Sequence, residues 1–395
     1  MLKLKPALVF FTVLLISNIT AFSKDYQSVD GKVMEYPSRF SNPETLANLI
    51  NNDFSLEDEK ARAIYTWMAL NIKYDLKQLK SGKKQIKYSF YFEEKKLKKG
   101  FVTAAIEKYP SHFSQPTKLA ELIKRDFSSE DEKARAIYTW MAMHIKYDVK
   151  QLKSGKKQIK YSFSSEEERL QKEQKILLDI AGKTLRSKKA VCEGYASLYK
   201  VLCDLTSVEC VMITGSTKSS ELSIGKLPKT SDHKWNAVKV NGEWKLIDVT
   251  WGAGYGDTQT GKFVANYTDT YFFTNPNDFF LNHYPEEEKW LLTDKTAEDF
   301  ARLPYFYNYY LESEIKLDKK QNGLLKPDKD KYVEVVIEGE TIGYIEYTFN
   351  SGKSFQEVQP NIKQGKSYYK IKARGSYMTI LLNNNAWAAF KIVRN

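Results

Sequence analysis

The 395-residue sequence predicts an α+β protein: helices packed on an antiparallel sheet, preceded by a duplicated helical segment and followed by a small β-sandwich. Three observations carry that expectation. Amphipathic helical stripes fill the first half of the chain, twice in almost the same words. A hairpin with an Asn241-Gly242 turn marks the switch to strand periodicity. Several short strand-like runs separated by turn residues then fill the end of the chain.

The elements follow in order. Residues 1–23 read as a secretory signal peptide, because Lys3 and Lys5 precede an apolar run at 7–16 and Ala21-Phe22-Ser23 is a small-x-small cleavage pattern. That run is shorter than the ~20 residues needed to cross a bilayer. The expectation is therefore an exported protein of the periplasm, cell envelope or extracellular space, with no transmembrane segment in the mature chain. Next, the segment at 37–90 recurs at 110–163, and 43 of the 54 aligned positions are identical. Between Glu44 and Asn52 the changes fall at 44, 45, 48, 51 and 52, while Leu46, Leu49 and Ile50 are kept. Such a division by face is what an amphipathic helix requires. A second helix in the later copy opens at Ser129 with acids in its first turn. Two copies are too few for a solenoid, so residues 24–109 read as an extra helical copy in front of a core at 110–310.

The formal charge of +12 is local: residues 73–100 contribute +7 and residues 146–175 contribute +4. Both stretches read first as solvated lysine-rich faces, with an anionic envelope surface as the other partner they fit. So little excess remains elsewhere that no nucleic-acid partner is expected. A helix is expected over 165–178, and then the Cys192 helix, whose stripe is Tyr195, Leu198, Tyr199 and Leu202. Strands follow at 208–214 and in the hairpin from His233 to Thr250. Residues 311–330 read as a linker and 331–395 as a β-sandwich domain.

Three cysteines cannot make a disulfide framework in a chain of this size. Cys203 and Cys210 read either as a pair or as buried small hydrophobes, which leaves Cys192 over. The hairpin gives that thiol a context. With Asn241 and Gly242 as the loop, paired positions sum to 483, so Asp248 falls opposite Trp235 and on the face that His233 shares. A carboxylate beside an imidazole is the orienting pair a general-base histidine needs. Cys192 at a helix start would have its thiolate favoured by the helix dipole and a nearby imidazolium. The four histidines lack zinc-like spacing, and Gly252-Ala253-Gly254-Tyr255-Gly256 has no ensuing helix or lysine to hold phosphate. Neither a metal nor a cofactor is expected.

The stretches "VCEGYASLYKVL" and "DHKWNAVKVNGEWKLIDVTWGAG" resemble the Cys, His and Asp motifs of the transglutaminase-like superfamily, in their usual order. The likeness continues through "YFFTNPNDFFLNHYPEEEKWLL", which is similar to the branch of the kyphoscoliosis peptidase and cytokinesis proteins, and covers about residues 126–292. The resemblance implies a papain-like fold, with Cys192 as nucleophile, His233 as general base and Asp248 as its partner. It also implies a peptidase or acyl-transferring activity on a protein or peptide substrate. An inactive scaffold or envelope-binding protein on the same fold is the alternative. Trp140, Trp235 and Trp251 are assigned to packing, with the second oxyanion donor left open, and His283 is assigned to a structural loop.

Overall fold

The structure is a computed structural model describing residues 26–40, 43–71, 90–154, 162–257, 260–339 and 343–393. The signal-peptide segment lies outside the described residues, as do parts of both lysine-rich stretches. The chain divides into two compact units between Tyr109 and Pro110.

The first unit is helical: α1 (Gln27–Met34), α2 (Pro43–Asp53), α3 (Glu57–Asn71) and α4 (Phe90–Glu107). Val29, Val33, Ile50, Phe54 and Ala63 form its core. Arg62 of α3 forks onto the Asp30 carboxylate of α1 at 2.7 and 2.6 Å, and the Thr66 hydroxyl donates to the same group at 2.6 Å.

The second unit opens with the other copy, α5 (Pro116–Asp126) and α6 (Glu130–His144). Identical residues make the same local bonds in each unit. Trp67 Nε1 donates to the Pro37 carbonyl at 2.9 Å, and Trp140 Nε1 to the Pro110 carbonyl at 3.0 Å. The other face of the helix differs. Arg135 pairs with Asp269 at 2.9 Å, and the Tyr138 hydroxyl donates to the Thr268 carbonyl at 2.6 Å. Ile137, Tyr138 and Met141 are fully buried there, while their counterparts Ile64, Tyr65 and Met68 are about half exposed.

The chain continues through β1 (Lys146–Tyr147), α7 (Val149–Lys153), α8 (Glu166–Ser187), β2 (Lys189–Ala190) and α9 (Cys192–Leu205). Helix α8 therefore runs nine residues past the expected 178, through Gly182 and Thr184, which are buried against α9. Leu198, Tyr199 and Leu202 bury the expected stripe of α9, and the Tyr195 hydroxyl donates to the Ile145 carbonyl at 2.5 Å. A Cβ on Gly194 would stand 2.5 Å from Thr184 Oγ1 and 2.6 Å from Ala190 Cβ. Only glycine lets that first turn lie so close to α8.

Next come β3 (Cys210–Thr217), β4 (His233–Val240), β5 (Glu243–Ile247), α10 (Val249–Ala253), the hairpin of β6 (Gly254–Gly256) and β7 (Phe263–Ala265), β8 (Phe272–Thr274), α11 (Pro276–Phe279) and β9 (His283–Pro285). The central antiparallel sheet has the order β8-β5-β4-β3-β9. Asn236 turns toward α9 and donates to the Ala196 carbonyl at 3.1 Å. Trp235 and Ala237 alternate to the other side, in a cluster with Ile213, Leu246 and Phe279. None of Cys192, Cys203 and Cys210 is in a disulfide.

After α12 (Ala297–Arg302), β10 (Tyr305–Phe306), α13 (Asn308–Glu312) and β11 (Leu324–Leu325), the chain builds β12 (Tyr332–Glu338), β13 (Ile345–Thr348), β14 (Gln356–Val358), β15 (Asn361–Lys363), β16 (Lys366–Lys372), β17 (Tyr377–Leu382) and β18 (Asn385–Ile392). Two sheets form, β10-β18-β17-β13-β14 and β12-β16-β15, with Val335, Ile337, Tyr369, Ile380, Trp387 and Phe390 in one core. Here the structure corrects the expected boundaries. Strands β10 and β11 both pair with β18, and Leu317 bridges to Ile337 and is buried with Leu325. Residues 311–330 are thus part of the sandwich and not a linker. Their composition is polar because only isolated side chains point inward.

Candidate active site

The Asn241-Gly242 turn sets the register of the site. Both residues have positive φ, 51° and 81°, as a two-residue hairpin requires. The β4–β5 pairs run from Val240 with Glu243 to Asn236 with Ile247, each summing to 483. Asp248 follows β5 directly and caps α10, where its Oδ1 accepts the Trp251 N–H at 3.1 Å. His233 opens β4. Its Nε2 lies 2.7 Å from Asp248 Oδ2.

Cys192 is the first residue of α9, with Val191 as N-cap. An ion pair of 2.5 Å joins its neighbour Glu193 to Lys234, the neighbour of His233, so the helix start and the strand start are fastened side by side. Cys192 is among the groups that raise the His233 pKa, so its sulfur acts on the ring. Nε2 is given to Asp248, which leaves Nδ1 without a use in that pair. His233 and Asp248 meet directly, and Cys192 acts on the same ring; the three are buried, at exposures of 3% for Cys192, 6% for His233 and 0% for Asp248.

Burial by itself disfavours the charged forms of His233 and Asp248. For His233 the attraction and hydrogen bond of Asp248, and then those of Cys192, outweigh it and raise the pKa to about 10. For Asp248 burial is again outweighed, by His233 and then His283, and the carboxyl is held below its ordinary range. Both shifts report one interaction, an imidazolium beside a carboxylate.

His283 corrects the sequence reading. It lies on β9, paired with Thr217 of β3, and its Nε2 is 3.0 Å from Asp248 Oδ2. The ring is fully buried, stacked on Phe279 at 4.0 Å and close to Trp251 at 4.6 Å. Burial lowers its pKa. A neutral ring facing a carboxylate must carry its proton on Nε2. Nothing in the local sequence marked this histidine, because its partner is 35 residues away across three strands and no tight turn fixes the register.

Of the three tryptophans, Trp140 spends its N–H on Pro110, and Trp235 is buried beside His233 with the ring centroids 6.1 Å apart. Trp251 is half-buried and tilts over His233 at 5.7 Å. Tyr147 was not singled out at all. It pairs with Ala190, two residues before Cys192, and Cys192 and Asp248 both act on its hydroxyl, whose pKa burial raises.

His233, Asp248 and His283 offer donor atoms within 4.8 Å of one another, a set a metal could use. Their N···O separations of 2.7 and 3.0 Å are hydrogen-bond lengths, however, and both rings direct Nε2 at one oxygen. Proton sharing accounts for the arrangement without an ion.

The chain is similar to known proteins over the segment that holds these residues. Residues 117–249 match the sequence model of the transglutaminase-like superfamily. The chain carries a transglutaminase-like domain. The matched segment begins in α5 and ends just past Asp248, so it contains Cys192, His233 and Asp248. Relatives include the kyphoscoliosis peptidase of Mus musculus, 36% identical over 42% of this chain, and that of Homo sapiens, 33% identical over 47%. Cytokinesis protein 3 of Schizosaccharomyces pombe is 26% identical over 33% of the chain. The aligned segments cover only 22%, 26% and 15% of those three proteins. The transglutaminase-like domain is a cysteine-type enzyme fold, and two of these relatives are named peptidase.

Proposed function

We propose that the chain is an exported cysteine enzyme that acts on amide bonds of a protein or peptide substrate through Cys192, His233 and Asp248. The observation that supports this reading is His233, which bonds Asp248 through Nε2 and whose pKa is raised by both Asp248 and Cys192. His233 holds the proton of Cys192 as an imidazolium, and the thiolate adds to the substrate carbonyl. The backbone N–H at the start of α9 is the donor we assign to the oxyanion, with help from the helix dipole. The Tyr147 hydroxyl, across from Ala190, is the side-chain donor we assign to the same role. The His233 imidazolium then protonates the departing amine as the C–N bond breaks, leaving a thioester on Cys192. Water, deprotonated by His233, releases the acid and regenerates the thiol; an amine in place of water would give acyl transfer. Hydrolysis is favoured because two relatives, at 36% and 33% identity, are named peptidase.

Intact-mass spectrometry of a quenched reaction with a peptide-amide library tests the mechanism. The expected result is an acyl adduct on the native chain that is absent in Cys192→Ala. Turnover that survives Cys192→Ala overturns the reading. Export rests on the pattern in residues 1–23, and a secreted product beginning at Lys24 is its expected signature. Among the described residues no helix is long and apolar enough to cross a membrane.

A further inference from the structure

Asp248 holds more than one histidine. Its side chain is completely buried and accepts three hydrogen bonds: Trp251 N–H on Oδ1 at 3.1 Å, and His233 and His283 on Oδ2 at 2.7 and 3.0 Å. The reaction proposed above uses only the His233 bond. The Trp251 bond is an ordinary helix cap. The third has no role in forming the fold that an apolar side chain would not serve, since the ring is already enclosed by Phe279, Trp251 and Trp235.

We propose that His283 is a positioning residue, whose Nε2–H anchors the Asp248 carboxylate so that Oδ2 faces His233 and keeps His233 aimed at Cys192. This inference rests on the function proposed for the site and extends it. The cap bond alone fixes one oxygen and leaves the carboxylate free to pivot about it. A second donor on the other oxygen removes that freedom, and it acts on the atom that orients His233.

His283 is itself well held. Its strand β9 pairs with β3, and β3 also pairs with β4, where Gly215 faces His233, so one strand sets the spacing of both histidines. The stack on Phe279, with planes 23° apart, fixes the ring. The titratable groups around it are His233, Asp248 and the edge-on Tyr271 ring at 6.0 Å. His283 must remain neutral, because a second imidazolium beside His233 would compete for the same oxygen. The Phe279 carbonyl acts on the ring in favour of protonation, but Nδ1 has no partner in hydrogen-bond geometry, so nothing holds a proton there.

Two substitutions separate positioning from packing. His283→Phe keeps a stacked ring and loses the N–H, while His283→Gln keeps an N–H donor and loses the ring. The readout is the rate of Cys192 alkylation by iodoacetamide at pH 6, where only an ion-paired thiolate reacts readily, with thermal melting as a check on folding. Loss of a hydrogen bond to a charged group predicts a fall of about 10- to 100-fold in His283→Phe and less than about threefold in His283→Gln. Equal rates in His283→Phe and the native chain, with His233→Ala strongly impaired, overturn the positioning role and leave the proposed function standing. An unimpaired His233→Ala overturns the proposed function itself. The native protein supplies a measurement that needs no variant: histidine 15N spectra at about pH 7 should show His283 neutral and protonated on Nε2. A proton on Nδ1, or a charged His283 ring at that pH, contradicts the proposal.

Discussion

At the scale of the residue, neighbours separate the three thiols where burial does not. Cys192 and Cys210 are 3% and 5% exposed and Cys203 is fully enclosed, so access ranks them poorly. Cys192 alone has a histidine held against it, whereas burial and the neighbouring Cys210 push the Cys203 thiol well up. Asp248→Asn should therefore lower kcat about 10²- to 10⁴-fold with little change in KM, checked by steady-state kinetics on whichever peptide is turned over. Lys218 gives a second test of the same physics. Its ammonium is buried with no hydrogen-bond partner, 4.9 Å over the Phe300 ring, and burial lowers its pKa to about 8. A folded pKa below the unfolded one costs stability wherever the unfolded chain holds the proton more firmly, and the cost fades as pH rises from about 8 through the unfolded value. Lys218→Met should thus stabilise the protein at neutral pH by about 1–3 kcal/mol, seen as a rise in the denaturation midpoint. His233 and Asp248 were legible in the sequence because a two-residue turn propagates register, and Cys192 because a lone thiol stood at a helix start. His283 and Tyr147 were not, since their proximity to the site depends on strand pairings that no local pattern encodes.

At the scale of the element, the repeat shows one sequence solving two packing problems. Each copy keeps the tryptophan-to-proline-carbonyl bond, while Arg62 and Arg135, at the same place in the repeat, find different aspartates, Asp30 and Asp269. In the first unit α1 thus supplies the carboxylate that the sheet-bearing core supplies in the second. Asp30→Ala leaves Arg62 and Thr66 without their acceptor and should loosen the first unit while α5, α6 and the sheet keep their protection, a pattern that hydrogen exchange can resolve. In the second unit, Gly194→Ala drives a methyl into Thr184 and Ala190 and should shift the start of α9, costing activity beyond its effect on stability. The helical elements were legible because face-specific changes between the copies act as an internal comparison. The polar run at 311–330 concealed β11 and the buried Leu317, since isolated inward residues leave no periodicity.

At the scale of the whole molecule, the two units have separate cores, and residues 110–395 already contain the helix pair that packs on the Cys192 helix. Removing residues 1–109 should leave a chain that unfolds cooperatively with its site intact, and loss of a sharp melting transition would show the first copy to be integral. Stability should also fall in acid. His283 is neutral in the fold with a lowered pKa, so the unfolded chain binds its proton first as pH drops below about 6.5. Asp248, also lowered, adds its loss as pH falls further, below the ordinary carboxylate range. The central claim is that Cys192 is a thiol made nucleophilic by His233. Mass spectrometry after brief exposure to a thiol-directed covalent probe tests it most directly. The account predicts labelling of Cys192 well ahead of Cys203 and Cys210, and loss of that preference in His233→Ala. Indifferent labelling of the three cysteines, unchanged by His233→Ala, would contradict it.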